Sequence, residues 1–259
     1  FFGINTKLRS ITKDDWYKYI TQYGETNTNN RRASCMNKIL KQALEDHYIT
    51  KEHFFTVPRS KEKIGRVEVF SREEEAVIIH KCTELGYLDL KDFIICLIEL
   101  GTRPEELRTS KPSDLIRTPE GETTLAMYRN KTDNDSILGL RRRAERILVR
   151  RSNQKRFFMS SYRQLYNRWN DIRNKLGKAE DEKWVFYTCR HTCASRMAQS
   201  GKTLVQIANW LGHSPNSPVT RKYIHFFPKD AIKIAKEMDE YEDKLSANNV
   251  RQLHKANKV

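Results

Sequence analysis

The segment from about Leu90 to Leu100 constrains the fold more than any other feature of this chain. A helix carrying Leu90, Phe93, Ile94, Leu97, Ile98 and Leu100 must be covered by other elements, so it predicts a core helix with partners packed around it. Ser71 and Glu74 just upstream have the spacing of a capping box, which predicts a second core helix through Ala76, Ile79 and Cys82. No apolar run approaches the ~18 residues of a membrane span. The mean hydropathy of −0.76 agrees. With 38% hydrophobic and 10% aromatic residues, the chain has enough apolar material for folded layers rather than disorder.

Charge narrows the partner. Lys and Arg number 48 against 33 Asp and Glu, a net charge of +15. That excess favours anionic partners: nucleic acid first, then membrane headgroups or an acidic protein. The five cysteines, Cys35, Cys82, Cys96, Cys189 and Cys193, lack paired metal-ligand spacing, which predicts reduced intracellular thiols and no metal site. The chain opens Phe1-Phe2-Gly3, with neither an initiator Met nor a secretion signal, so a piece of a longer protein with an upstream domain is expected.

The first 60 residues read as a small helical module. Thr12 caps a helix carrying Trp16, Tyr19 and Ile20, and after an Asn-rich turn at Asn27 to Asn30 a second helix presents Cys35, Ile39, Ala43 and Leu44. Lys13, Arg31, Arg32 and Lys38 on its polar faces either hold phosphate or solvate the surface. The stretch Phe54 to Glu68, with Lys61 and Arg66, has basic linker character, and the resulting partition is 1–60, a 61–67 linker and 68–259. Short strands are expected at Thr123 to Met127 and Ile137 to Leu140, around a polar turn from Lys131 to Asp135. Arg141 and Arg142 open a basic segment that either faces DNA or forms a solvated helix. A helix from Ser160 to Leu176 is expected to bury Tyr162, Leu165, Tyr166 and Trp169. Further helices are expected at Thr188 to Gln199, Leu204 to Trp210 and Pro228 to Leu245, with a fraying end.

Three separated signals gain meaning together: Gly101-Thr102-Arg103-Pro104-Glu105-Glu106-Leu107, Arg190-His191-Thr192, and Leu211-Gly212-His213 followed by Tyr223. In this order they resemble the tyrosine recombinase, or phage integrase, family over roughly Glu68 to Phe227. The resemblance implies a mainly α catalytic domain with a small antiparallel β-sheet, preceded by a small helical DNA-binding module resembling part of that family's core-binding domain. It also implies site-specific DNA integration through a 3′-phosphotyrosyl intermediate, with Arg103, Lys131, Arg190, His213 and Tyr223 as catalytic residues. Glu106 orients Arg103, and His191 packs beside Arg190 or works on phosphate. One position departs from the frequent family His-x-x-Arg box: Tyr187 stands where its first His is found, so that imidazole is absent. The interval from His213 to Tyr223 is one residue longer than is common, and the Ser214 to Pro218 loop can absorb the difference.

The chemistry calls for these residue types. Two guanidiniums can embrace the nonbridging oxygens of a phosphodiester while a phenolate attacks phosphorus. Lys131 can protonate the leaving 5′-hydroxyl. No cofactor is implied, because arginines carry the counter-charge and the tyrosyl ester conserves the bond energy. Partners implied by the resemblance are double-stranded DNA bearing recombination sites, further copies of the chain in a tetrameric synapse, and DNA-bending accessory proteins. The expected compartment is the bacterial cytoplasm or nucleoid, with a phage as one source of the gene. Xer-like excision or dimer resolution, a type IB topoisomerase and a noncatalytic DNA-binding regulator are the alternatives.

Overall fold

The computed structural model describes residues 3, 5–23, 27–60, 67–129, 134–213, 219–226 and 238. The chain divides into two compact units, Phe1–Gly65 and Arg66–Val259.

In the first unit, helix α1 spans Lys13–Tyr23 and α2 spans Asn27–Glu45. Thr12 caps α1 by accepting from the Asp15 backbone N–H at 3.2 Å, while its own N–H donates to the Asp15 carboxylate at 2.9 Å. Asn27 to Asn30 form the first turn of α2, not a turn before it. Trp16 and Tyr19 pack on Ala33 and Val57, with Leu40, Ala43 and Ile49 beside them. Ile39 and Cys35 stay exposed, because the buried stripe runs one position to the side, through Ala33, Leu40 and Ala43. The start of the predicted linker is not free. Asn37 donates to the Val57 carbonyl and accepts from its N–H, and Asn30 does the same with Ser60, so 54–60 lies along α2.

In the second unit the apolar helix is central. Helix α3 spans Arg72–Glu84 and starts on the complete Ser71/Glu74 capping box. Helix α4, Leu88–Leu100, buries ten of its residues, including Asp92 and Glu99. Those two carboxylates are tolerated because guanidiniums meet them: Arg150 and Arg151 on Asp92, Arg141 and Arg143 on Glu99. Helix α5 is Pro104–Thr109, and the antiparallel sheet has the order β1 (Leu115–Arg117), β2 (Thr123–Arg129), β3 (Asn134–Gly139). Leu115 pairs with Leu125 and Leu125 with Leu138, and alternation turns Leu125, Met127 and Leu138 inward while Tyr128 and Ile137 face out. The strand β1 has no counterpart in the sequence reading, being three residues with no alternation to detect.

Helices α6 (Arg142–Arg150), α7 (Tyr162–Lys175), α8 (Phe186–Gln199) and α9 (Leu204–Leu211) complete the described part, with a short 3-10 helix at Thr220–Phe226. In α7 only Leu165 and Trp169 of the four expected residues are buried. Tyr162 and Tyr166 lie on its exposed side with nearly parallel rings, because they sit one turn apart on the flank of the stripe. The helix expected at Pro228 to Leu245 lies outside the described residues except for Met238. None of the described helices is long and apolar enough to cross a membrane.

Candidate active site

Arg190 is the centre of the arrangement. It lies in the first half of α8, almost fully buried, and among the described residues no carboxylate bonds to its guanidinium. Instead Nη1 donates to the Gly101 carbonyl at 2.7 Å, and Nη2 donates to the Leu211 carbonyl at 2.6 Å and to His213 Nε2 at 3.0 Å. Burial pushes its pKa down; the nearby Tyr187 opposes this, while Arg103 adds to the depression. An arginine remains charged under such pressure, so the site carries a cation compensated chiefly by dipoles.

Two glycines aim those carbonyls. Gly101 ends α4 in the left-handed region at φ 65°, and a Cβ there would come within 2.9 Å of both Cys193 Sγ and Leu211 Cδ2. Only glycine combines that turn with that closeness. Gly212 ends α9 at φ 64° and delivers His213 to Arg190. Arginine can only donate, so His213 accepts at Nε2 and carries its proton on Nδ1, which donates to Thr220 Oγ1 at 2.9 Å. Sequence reasoning did not foresee Leu211 or Thr220. Leu211 acts through its backbone, which side-chain chemistry does not reveal.

Arg103 precedes α5, with Pro104 at the first helical position. Its backbone N–H donates to Glu106 Oε2 at 2.8 Å and its guanidinium bonds Glu106 Oε1, so Glu106 both caps the helix and orients the side chain. The Arg103 side chain keeps about a fifth of its surface exposed, a foothold for an incoming anion.

Tyr223 lies on the 3-10 helix and is 1% exposed, seated among Val67, Ala194, Ala198, Ile207 and Leu211. Val67, placed by the sequence in the linker, thus belongs to this core. Burial raises the Tyr223 pKa far above the ordinary phenol value, and Arg190 pulls it part of the way back. Its oxygen is 2.7 Å from His191 Nδ1. Tyr187 is partly exposed and meets the His191 ring edge-on at 5.1 Å. Three stretches far apart in sequence, around residue 103, around residue 190 and from 213 to 223, therefore bring Arg103, Arg190, His213 and Tyr223 into one neighbourhood, with Glu106, Tyr187 and His191 around them. Lys131 lies outside the described residues; the described hairpin closes with the Arg129–Asn134 pair.

The basic residues expected at DNA are divided. Lys13, Arg31 and Lys38 are exposed on the first unit, whereas Arg32 lies over the Tyr19 ring and bonds Asn29 Oδ1 at 3.3 Å. Arg142 is exposed, and Arg141, with about half of its side chain exposed, pairs with the buried Glu99 at 3.0 Å. Lys61 and Arg66 lie outside the described residues.

A buried guanidinium aimed by backbone carbonyls, a partly exposed one beside it, an imidazole and a phenol form an arrangement able to hold an anion such as a phosphodiester. Residues 68–229 match the model of the phage integrase family. The chain belongs to that family, whose members are tyrosine site-specific DNA recombinases. Solved structures share the fold at low identity. The XerH recombinase bound to its difH substrate before cleavage is 17% identical, with a TM-score of 0.61 over 84% of this chain and 68% of that one. The Tn1549 transposon integrase on transposon right-end DNA is 15% identical, with a TM-score of 0.59 over 92% and 87%. A lambda integrase tetramer on a Holliday junction is 14% identical, with a TM-score of 0.60 over 81% and 66%. No curated protein sequence matches significantly.

Proposed function

We propose that this chain carries out site-specific DNA integration for a phage or another mobile element, cutting and rejoining strands through a 3′-phosphotyrosyl linkage at Tyr223. The observation that carries this reading is the guanidinium of Arg190, held by backbone carbonyls and an imidazole in one cluster with Arg103, His213 and Tyr223. Arg103 and Arg190 grip the nonbridging oxygens, and His213 bonds the phosphate as charge builds on it. The Tyr223 Oη–P bond forms as the P–O5′ bond breaks, and Lys131 supplies the proton to the leaving 5′-oxygen. Attack by the 5′-hydroxyl of a partner strand reverses these steps. Because Tyr223 is covered, the segment carrying it shifts when DNA enters.

The partner is double-stranded DNA, approached by the +15 chain through salt-sensitive backbone contacts. The lambda integrase tetramer on its junction supports a homo-tetrameric synapse here; DNA-bending proteins as accessories and the bacterial cytoplasm or nucleoid as the working compartment belong to the same proposal.

A pool of nicked suicide duplexes with a randomised core tests the reading. The wild-type chain should form adducts that survive denaturing electrophoresis and map to the Tyr223 peptide, and Tyr223→Phe should form none. Wild-type protein that binds the pool without any adduct would instead favour a DNA-binding regulator. With the selected core on two plasmids, joined products indicate integration. Preferential resolution of repeats on one plasmid indicates a Xer-like role, and relaxation alone a type IB topoisomerase.

A further inference from the structure

We propose that His191 receives the Tyr223 proton during strand cleavage. The inference rests on Tyr223 being the nucleophile and adds the group that activates it. Tyr223 Oη lies 2.7 Å from His191 Nδ1, and among the described residues this is its one hydrogen bond. A buried hydroxyl hydrogen without an acceptor is costly, so the satisfied arrangement has the phenol donating to Nδ1 and the imidazole proton on Nε2.

The other groups in the cluster do not suit this task. Arg190 cannot accept a proton, and its two terminal nitrogens already hold carbonyls and His213. His213 turns Nε2 to Arg190 and Nδ1 to Thr220. Tyr187 offers a phenol, not a ring nitrogen, and touches the far imidazole by its edge.

The environment keeps the His191 lone pair available. Its pKa is lowered to about 4, first by burial and then by the charges of Lys222 and Arg190. The titratable or charged groups facing it are Tyr187 and Arg190 on α8, and Lys222 and Tyr223 on the 3-10 helix. A weak base beside a phenol of raised pKa does not take the proton at rest. Transfer occurs as the Oη–P bond forms, when the phenol acidifies and the phosphate's growing negative charge offsets the imidazolium. The proton passes from Oη to Nδ1 as P–O5′ breaks, and returns to Oη when the strand is rejoined. Arg190 and His191 are neighbours on α8. The charge of Arg190 reaches the His191 imidazole, so a phosphate gripped by Arg190 lies within electrostatic range of it.

Single-turnover adduct formation on the selected suicide duplex tests this. His191→Asn keeps an acceptor oxygen for the phenol but cannot take the proton, and should slow cleavage by about 10²-fold. The wild-type rate should be flat over roughly pH 6 to 9, and that of His191→Asn should rise with pH as the phenol ionises by itself. Trifluorotyrosine in place of Tyr223, with its more acidic phenol, should restore most of the lost rate in His191→Asn and little in the wild type. An unchanged rate in His191→Asn, or a slow one with a flat pH profile and no recovery on fluorination, would overturn the proposal. Should His191→Asn fail to fold, the wild-type profile decides: a rate that climbs through pH 9, displaced to lower pH by fluorination, also overturns it. Absence of a wild-type adduct would strike the parent reading instead, so the two failures are separable.

Discussion

Two arginines on α8, six positions apart, are both well buried and are treated in opposite ways. Arg196 meets Glu75 at 2.6 Å, Arg143 bridges Glu75 and Glu99, and Arg141 closes on Glu99. Burial alone would raise the Glu75 pKa, but the hydrogen bonds from Arg196 and then Arg143 bring it below the ordinary carboxylate value. Arg190 is held by two carbonyls and an imidazole, none of which carries a full negative charge. The first arrangement neutralises a cation so that helices can pack; the second leaves a cation whose hydrogen-bond partners carry no full charge, as the proposed phosphate grip requires. A buried arginine is thus read by its partners, not by its burial.

Five substitutions test that contrast. The largest effect should follow Glu75→Ala, which strands Arg196 and leaves Arg143 with Glu99 alone: a loss of about 3–5 kcal/mol in denaturant unfolding, with DNA cleavage per folded molecule nearly intact. A drop in cleavage that outran the loss of fold would blur the distinction. Arg190→Ala should do the converse, cutting cleavage by about 10² to 10³-fold while unfolding far less of the protein, as single-turnover kinetics beside a melting curve would reveal.

The pH dependence of stability probes the edge of the same site. Unfolded His191 binds a proton near 6.5, whereas the folded chain holds off until about 4. Its share of stability is therefore complete above about pH 6.5 and is lost as pH falls through that window, by about 2 to 3 kcal/mol at the bottom. His191→Gln should flatten that part of the profile in urea titrations between pH 4 and 7. The smallest effect concerns α6. Arg142→Ala should lower the slope of log affinity against log salt by about one unit without altering stability, whereas Arg141→Ala should chiefly weaken the fold. Equal salt slopes for the two variants would mean that the Glu99 pair does not occupy Arg141 in the complex.

Much of the fold was legible because its cues are local. The Ser71/Glu74 box, the apolar run through Leu90 to Leu100 and the alternation of Leu125 and Met127 each follow from a few neighbouring residues. The readings that failed concern which side of an element is covered. Tyr162 and Tyr166 share helical spacing with Leu165 and Trp169 but lie outside the covered arc, and Cys35 and Ile39 repeat the error on α2. The arc a helix buries is set by what packs on it.

For the candidate site, the order of motifs along the chain pointed to Arg103, Arg190, His213 and Tyr223, which the structure brings together, and glycine beside two of those motifs reports a backbone that must turn left-handed. The pairing of Arg141 with the buried Glu99, the carbonyls of Gly101 and Leu211 on Arg190 and the bond between His191 and Tyr223 were decided in three dimensions. Each joins segments distant in sequence through backbone atoms or side-chain partners that no spacing rule encodes. The sequence by itself determined which chemical groups the protein has. Only the tertiary structure decided which of their charges would be neutralised and which left to meet DNA, because that depends on distances a linear chain does not contain.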